Sequence, residues 1–485
     1  MPGTRTICWP PRIEKEHVAL WSIHCRALLL LGLVGWFGAC GDDGAGWRAV
    51  APQGAVDKAL EGVWAAPATG HIASFSEDGV EVFHILDDFC IRDTGVVPEY
   101  SLYRFDGSSD RLLLHYYDYR DRPELLQAPK AFRRVQDLPD ACRREASNRS
   151  FSPGEVYALI VRSFDRFYAV FEPRGVDWDD VKRRYSARAE ALSTEAELFE
   201  LLEEMLTPLA DGHTNVTWAD RSFNAGRPRL RARLRDAWAE SGSELSEGAF
   251  VSTWHRGVIE SVGDVLDPGS RRSGAAEALE WGTIGDTVGY VRIHRFSRFT
   301  EDGSEPRSVQ YEALETALDA MRRDLAPASR IIVDVAMNGG GSDAAAQLVA
   351  SYFADRRRRA LRYEVQGAPS SDIFISPRGQ AEGRPVFLLT SEITASAAES
   401  FVLMMRAFPH VTHVGGRTRG GISSLLPKPF PNGFMVTFSY QRVLGADGVL
   451  YEGAGIPPQR SIELFPDGDL DGGFAKALAA LAEAR

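Results

Sequence analysis

The spacing of hydrophobic and polar positions changes along the chain. Between residues 55 and 145, short apolar runs alternate with polar residues, and Asp78-Gly79 and Asp106-Gly107 mark turns between the runs. Alternation with a period of two is typical of strands that bury one face. Residues 55–147 are therefore predicted to form a small antiparallel β domain.

Helical spacing replaces this alternation in residues 148–225. Thr194 and Glu197 form the pattern of a capping box at the start of one helix. That helix ends at Asp211-Gly212, so His213 directly follows its end. We predict a helical domain that carries His213. A first helix in it has one apolar stripe, made of Val156, Leu159, Ile160, Phe164 and Phe167.

The second half of the chain begins with a mixed connecting region, residues 226–280, in which no PDZ-like segment is evident. We interpret its arginine-rich stretches as solvated faces. Residues 281–485 alternate between strands and helices, which indicates an α/β core with a mostly parallel sheet. The predicted elements are strands Val288–Ile293 and Ile331–Val335, and helices over residues 309–325 and 343–354.

Candidate chemistry lies at two strand-to-helix turns. The apolar run Val386–Leu389 predicts a buried strand, and Ser396 then stands near the N-terminus of a helix. Free backbone N–H groups at a helix start stabilise an oxyanion. The second turn is Asn338-Gly339-Gly340-Gly341, which follows the strand Ile331–Val335. If the two strands are neighbours, this glycine turn would supply one donor and the N–H of Ala397 the other. Alone, each signal also fits a plain reading, because serine often caps helices and glycines often form tight turns.

Five motifs occur in one order and change that weighting. They are Asp211-Gly212-His213-Thr214, Val333 to Gly341, Thr394 to Glu399, Val414 to Thr418, and Glu452-Gly453-Ala454-Gly455-Ile456-Pro457-Pro458. Over residues 151–485 the chain resembles the S41 peptidase family, which includes C-terminal processing proteases and the tricorn core protease. The resemblance implies a crotonase (ClpP)-like α/β core.

The resemblance also implies roles for individual residues. Ser396 would be the nucleophile and His213 the base that takes its proton. Glu452 would orient the site or bind the amino terminus of the substrate. Backbone N–H groups of Gly340, or of the glycine on either side of it, and of Ala397 would hold the oxyanion. Asp211, Asn338 and Gly339 are predicted to support this site.

Departures from the family pattern favour one of its two catalytic styles. Processing proteases place a lysine about 25 residues after the serine, but that position holds Gly421, and the next lysine is Lys428. The tricorn-like branch, with a Ser–His pair, is therefore expected. Its supporting serine is replaced by Gly212, so Asp211 or Glu452 would orient the histidine, or the contact is missing. Ala336 stands where the family often has arginine.

The N-terminus predicts export. Residues 1–40 read as a signal peptide whose end, Phe37 to Cys40, resembles a bacterial lipobox, and residues 41–54 as a tether. Lipidation of Cys40 would place the protein in the bacterial cell envelope, on the periplasmic side or at the outer membrane. A plain secretory signal, an uncleaved anchor and a cytosolic protein are the alternatives. Cys90 and Cys142 either form a disulfide or remain separate thiols.

Composition narrows the function classes. The 485 residues carry a net charge of −12, which argues against nucleic acid as a partner. No metal site or cofactor is predicted, and the only membrane contact expected is the N-terminal lipid. The leading hypothesis is a serine-type peptidase acting on peptides or unfolded proteins. The alternatives are a non-catalytic ligand- or peptide-binding protein and an esterase with the same Ser–His pair.

Overall fold

The computed structural model describes residues 47–51, 55–93, 102–115, 125, 129–143, 149–285 and 287–483. The predicted signal peptide, Cys40 and most of the predicted tether lie outside these residues. Among the helices that are described, none combines the length and the apolar character that a membrane span requires.

An antiparallel sheet of eight strands forms the N-terminal part. Its spatial order is β1-β6-β7-β8-β2-β3-β4-β5. A disulfide joins Cys90 to Cys142, and so ties β5 to the short helix α1. The strands are β1 Arg48–Ala49, β2 Gly62–Ala66, β3 His71–Ser76, β4 Gly79–Leu86, β5 Phe89–Asp93, β6 Leu102–Phe105, β7 Arg111–His115 and β8 Lys130–Val135, and α1 is Asp140–Arg143.

Three longer helices follow, and a four-stranded antiparallel sheet packs on them. Glu197 N–H donates to Thr194 Oγ1 at 3.2 Å, which confirms the predicted capping box. The sheet has the order β10-β9-β20-β19 and combines strands from distant parts of the chain. The elements are α2 Pro153–Phe167, α3 Trp178–Glu190, α4 Glu195–Leu206, β9 Asn215–Trp218, β10 Arg221–Asn224, β19 Leu425–Pro429 and β20 Met435–Ser439.

A seven-stranded sheet carries the α/β core. Its order is β11-β12-β13-β14-β17-β18-β22, and it is parallel from β13 onwards. The strands are β11 Arg272–Gly274, β12 Leu279–Ile284, β13 Val288–Ile293, β14 Arg330–Asp334, β17 Val386–Thr390, β18 Val411–Gly415 and β22 Arg460–Ser461. A smaller sheet, in the order β16-β15-β21, contains β15 Arg358–Glu364, β16 Ser371–Ile375 and β21 Arg442–Gly445.

Helices cover both faces of the seven-stranded sheet, as expected for a parallel sheet with apolar strands. One core joins Val291 and Val333 to α7, α8 and α9, and the other joins Tyr290 and Ile332 to α5, α6 and α10. The helices are α5 Arg229–Ser241, α6 Glu247–Gly263, α7 Arg307–Asp324, α8 Asp343–Ser351, α9 Ala397–Arg406 and α10 Gly473–Glu483.

The predicted mixed α/β architecture is confirmed, and β13 has the predicted bounds. The region 226–280 is more regular than expected. It contains α5 and α6, which the sequence reading did not predict. The apolar positions of α5 are few, since only Leu230 and Leu234 are buried in it, so its periodicity is weak.

Candidate active site

Ser396 stands at a sharp turn between a strand and a helix. β17 ends at Thr390, α9 begins at Ala397, and the serine between them has φ 58° and ψ −128°. Such a conformation is costly for a residue with a side chain, and it is often found at functional sites. The Ser396 N–H points to Gly421 O at 3.0 Å and to Glu399 Oε2 at 3.2 Å, and these contacts hold the turn.

The side chain of Ser396 lines a cavity of about 560 Å³. Aromatic residues and charged residues share its wall, and Ser342 and Asp343 come from the glycine-rich turn that follows β14. We call this cavity 1. Its size and mixed lining suit a peptide side chain beside the serine.

The glycine turn lies directly against the serine, because β14 and β17 are parallel neighbours. Gly340 has φ +112°, and a Cβ at this position would stand 2.7 Å from Ser396 Cβ. Only glycine allows so close an approach. Gly340 N–H donates to Asn338 Oδ1 at 2.8 Å, so the predicted oxyanion donor is engaged within the turn. Asn338 Nδ2 in turn donates to Ile293 O at 3.0 Å.

His213 lies between α4 and β9 and is held by its main chain. Its N–H donates to Asp211 Oδ1 at 2.9 Å, and its carbonyl accepts from Thr437 Oγ1 at 2.8 Å and from Asn215 Nδ2 at 3.2 Å. The ring is less restrained. Nδ1 is buried and has no hydrogen-bond partner among the residues that the structure describes.

Burial lowers the pKa of His213 below 6.5, although Asp211, Glu399 and Asp343 act in the opposite direction. The neutral imidazole, which accepts a proton, is therefore favoured at neutral pH. Glu399 contacts the Ser396 N–H and Asp343 lines cavity 1, so His213 lies within electrostatic range of two carboxylates that flank the serine.

Asp211 and Glu452 are buried and hold loops, and neither donates to or accepts from the imidazole in the described contacts. Asp211 Oδ2 accepts from Tyr168 and Thr214 hydroxyls at 3.1 and 3.0 Å. Glu452 Oε2 accepts from the N–H groups of Ile422 and Ser423 at 2.8 and 2.9 Å. Burial raises the pKa of Glu452.

Arg174 joins these two carboxylates, and the sequence reading missed it. Its side chain is only 5% exposed, with Nη2 at 3.2 Å from Asp211 Oδ1 and in contact with Glu452 Oε1. The same nitrogen donates to Gly420 O at 3.0 Å. Arg174 thereby links the His213 loop to the loop that precedes β19. No local pattern around Arg174 marks it.

Glu399 is a second residue that the prediction did not include. It is fully buried, and it accepts from Thr418 Oγ1 at 2.6 Å, Gly420 N–H at 2.6 Å and Gly421 N–H at 2.8 Å. Burial raises its pKa to about 7, while these hydrogen bonds act to lower it. Its position three residues after Ser396 is the spacing of a capping box, and that spacing was the available signal.

Lys428 contacts neither Ser396 nor His213 in the hydrogen bonds of the described residues. Its buried ammonium donates to Thr69 O at 2.6 Å and Gly70 O at 2.9 Å, and lies 3.3 Å from His84 Nδ1. It therefore fixes β19 to the N-terminal sheet.

The two departures from the family pattern have structural counterparts. Arg419 lies over Gly212, and a Cβ on that glycine would be 3.3 Å from Arg419 Nη2. At the other departure, Asp334 Oδ1 accepts from Ala336 N–H at 2.8 Å while its Oδ2 accepts from Arg292 Nε at 2.9 Å. Arg292, which is on β13, thus supports the carboxylate that anchors the loop at Ala336.

Parts of this chain are similar to known peptidases. A model of peptidase family S41 matches residues 287–462, and a model of the tricorn protease C1 domain matches residues 153–207. The carboxy-terminal processing protease CtpA of Bacillus subtilis is 25% identical over 182 residues, which are 38% of this chain and 36% of that protein. The chain thus matches about a third of the length of this relative.

A crystal structure of a candidate peptidase from Parabacteroides merdae is also similar. It superposes with a TM-score of 0.54 at 27% identity, over 69% of this chain and 98% of that one. A serine on a strained strand-to-helix turn also occurs in serine-type hydrolases of other folds. These matches support a relation between this chain and peptidase family S41.

Proposed function

We propose that this protein is a serine peptidase that cleaves peptide bonds through a Ser396–His213 acyl-enzyme mechanism. The observation that carries the proposal is the conformation of Ser396, which is strained, partly exposed and placed on the wall of cavity 1. A serine that only caps a helix needs neither the strain nor the cavity.

Acylation begins when Ser396 Oγ attacks the carbonyl carbon of the scissile peptide and His213 accepts the hydroxyl proton. The N–H of Ala397, at the first position of α9, has no acceptor within its own helix and faces the developing oxyanion. The Gly340 N–H already donates to Asn338 Oδ1. A second oxyanion donor therefore comes either from another N–H of the Gly339–Gly341 turn or from Gly340 after Asn338 has rotated away. Collapse of the intermediate breaks the C–N bond, and the amine leaves with the proton from His213.

Deacylation repeats these steps with water. His213 takes a proton from water, the hydroxide attacks the acyl carbon, and the C–O bond to Ser396 breaks as its oxygen regains the proton. The lowered pKa of His213 suits it to the base role. Asp211, Glu452, Arg174 and Glu399 keep the loops of the site in place in this proposal, and do not exchange protons with the substrate.

The proposal also includes a crotonase-like core and a location in the cell envelope. The α/β sheet with β13, β14, β17 and β18 in parallel supports a crotonase-like core. We place the protein in the bacterial cell envelope as a lipoprotein attached through Cys40, because of the lipobox-like sequence. Its substrates would be peptides or unfolded proteins.

A fluorophosphonate probe tests the proposal, because it reacts with an activated serine. Wild type should be labelled and should cleave unfolded protein, and Ser396→Ala should do neither. Ser371→Ala, which changes a serine on β16 outside cavity 1, should be labelled like wild type. Folded wild type that is not labelled would favour a non-catalytic binding protein. Labelling with hydrolysis of esters but not of peptides would favour an esterase.

A further inference from the structure

A second cavity lies behind the loop that contains Arg419. It has a volume of about 660 Å³, and we call it cavity 2. Its wall contains six arginines and only two acidic residues, Glu392 and Glu463, in a chain whose net charge is −12. Such a local excess of positive charge attracts anions.

Most of these arginines already have partners. Arg174 binds Asp211 and Glu452, and Arg233 Nη2 donates to Phe465 O at 2.7 Å and to Asp467 at 2.6 Å. Arg227 and Arg417 donate to protein oxygens at 3.1 Å, namely Thr207 Oγ1 and Gly455 O respectively. Their guanidinium groups are held by the fold.

Arg229 and Arg419 differ from the other four. Both are exposed, and neither guanidinium has a hydrogen bond or ion pair with any residue in the described ranges. Arg229 is the first residue of α5, where the helix dipole adds positive character. Glu392 Oε2 accepts from Leu230 N–H at 3.0 Å, so one of the two acidic residues is used as a cap.

The guanidinium of Arg419 packs against two glycines, Gly212 and Gly226. A Cβ on Gly226 would be 2.7 Å from Arg419 Nη2, and one on Gly212 would be 3.3 Å from it. A side chain at Gly226 would force the guanidinium to move, and one at Gly212 would require a shift of a few tenths of an ångström. Gly212 stands where the family has its supporting serine, and the side chain of Arg419 packs against this glycine.

Arg419 contacts residues that neighbour His213 and Ser396 in the sequence. Gly212 directly precedes His213, and Arg419 N–H donates to Thr394 O at 3.0 Å, two residues before Ser396. The Arg419 segment therefore adjoins both the turn that carries Ser396 and the loop that carries His213.

We propose that cavity 2 binds a carboxylate of the peptide substrate, held by Arg419 and Arg229. The inference rests on the proposed peptidase function. Guanidinium groups bind carboxylates through paired hydrogen bonds, and two unpaired ones at the mouth of a basic cavity select for an acidic group. The carboxylate comes from an Asp or Glu side chain or from the C-terminus of the peptide.

Matched peptides test this selection. One series has Asp or Glu against Asn or Gln at each position around the cleaved bond, and a second has a C-terminal acid against an amide. We expect wild type to favour at least one acidic member by roughly tenfold in kcat/KM, because a charge-assisted contact is lost in its neutral partner. Preference in the first series assigns a side chain, and preference in the second assigns the C-terminus. The ratio should fall as salt rises.

Variants locate the preference. Arg419→Ala and Arg229→Ala should each reduce the ratio at least threefold and keep kcat/KM for neutral peptides close to wild type, while Arg419→Lys retains part of the ratio. Arg235→Ala, on the same helix but outside cavity 2, should keep the full ratio.

Fluorophosphonate labelling separates the two proposals. Labelled wild type that treats acidic and neutral peptides alike within twofold would overturn the inference and leave the peptidase function intact. So would a folded, labelled Arg419→Ala/Arg229→Ala double variant that keeps the preference. Absence of labelling and of cleavage would overturn both.

Discussion

The serine and histidine halves of the site are held in different ways. Ser396 is fixed by its own strained turn, by the glycine turn against it and by Glu399, all within the α/β core. His213 is fixed through its backbone, while its ring Nδ1 has no partner among the described residues. The proposed nucleophile is thus held by more contacts than the ring of the proposed base.

This difference shows where each half depends on other parts of the fold. The serine turn needs neighbours that lie close by in the same sheet. The histidine loop needs Arg174 and Thr437, which come from a helix layer before it and a strand far after it. Changes far from Ser396 are therefore expected to act through the histidine half.

The largest expected effect comes from removing either reacting residue. His213→Ala and Ser396→Ala should each lower kcat by about a thousandfold or more. The double variant should be no less active than the less active of the two single variants, because the two residues act as a unit. Peptide cleavage rates and circular dichroism together check this. Unchanged activity of folded His213→Ala would reject the Ser–His pair.

Arg174→Met should have the next largest effect. It leaves Asp211 and Glu452 buried without their cation, which typically costs about 3–5 kcal/mol. Urea unfolding should show this loss, and residual activity should fall because the His213 loop is released. Arg183→Met, on the exposed face of α3, is the control and should change stability by less than about 0.5 kcal/mol. Equal stability of the two variants would contradict the role of Arg174.

The pH profile should show a smaller effect. The neutral imidazole is the active form, so the rate should fall as pH drops through the pKa of His213, with a midpoint below 6.5 because burial lowers that pKa. Glu399, with a pKa of about 7, adds a second limb, since its protonation weakens the bonds to the loop at Gly420. Glu399→Gln should remove the limb near 7 and keep the lower one. A single midpoint above 7 in both proteins would contradict these assignments.

Lys428→Met should have the smallest effect on chemistry. The lysine is engaged with Thr69 and Gly70 carbonyls, so kcat should stay within about threefold of wild type, while stability falls by roughly 1–3 kcal/mol from the unpaired carbonyls. Steady-state kinetics of the folded variant measure the first quantity. A complete loss of activity would restore the Ser–Lys mechanism.

The sequence was most informative where chemistry depends on local chain. The strand, turn and helix around Ser396 lie within 21 residues, Val386 to Arg406, and the apolar run and the small residues predict them. The capping box at Thr194 likewise needs only four residues.

Long-range contacts were beyond such reasoning. Arg174 pairs with Glu452, 278 residues away, and nothing near either one indicates the other. The hydrogen bond from Gly340 N–H to Asn338 depends on the rotamer of the asparagine side chain. The spacing of apolar residues contains no information about that rotamer. Helices α5 and α6 were missed because their few buried positions give a weak stripe.

The antiparallel sheet of β9, β10, β19 and β20 joins segments that are synthesised at different times. Val216, just after His213, pairs with Val436, and Thr437 closes a contact with the His213 carbonyl across 224 residues. Contacts with such separation form late, because a long loop must close first. The His213 loop can therefore reach its place in the folded protein only after residues 435–437 have been synthesised and have paired with β9.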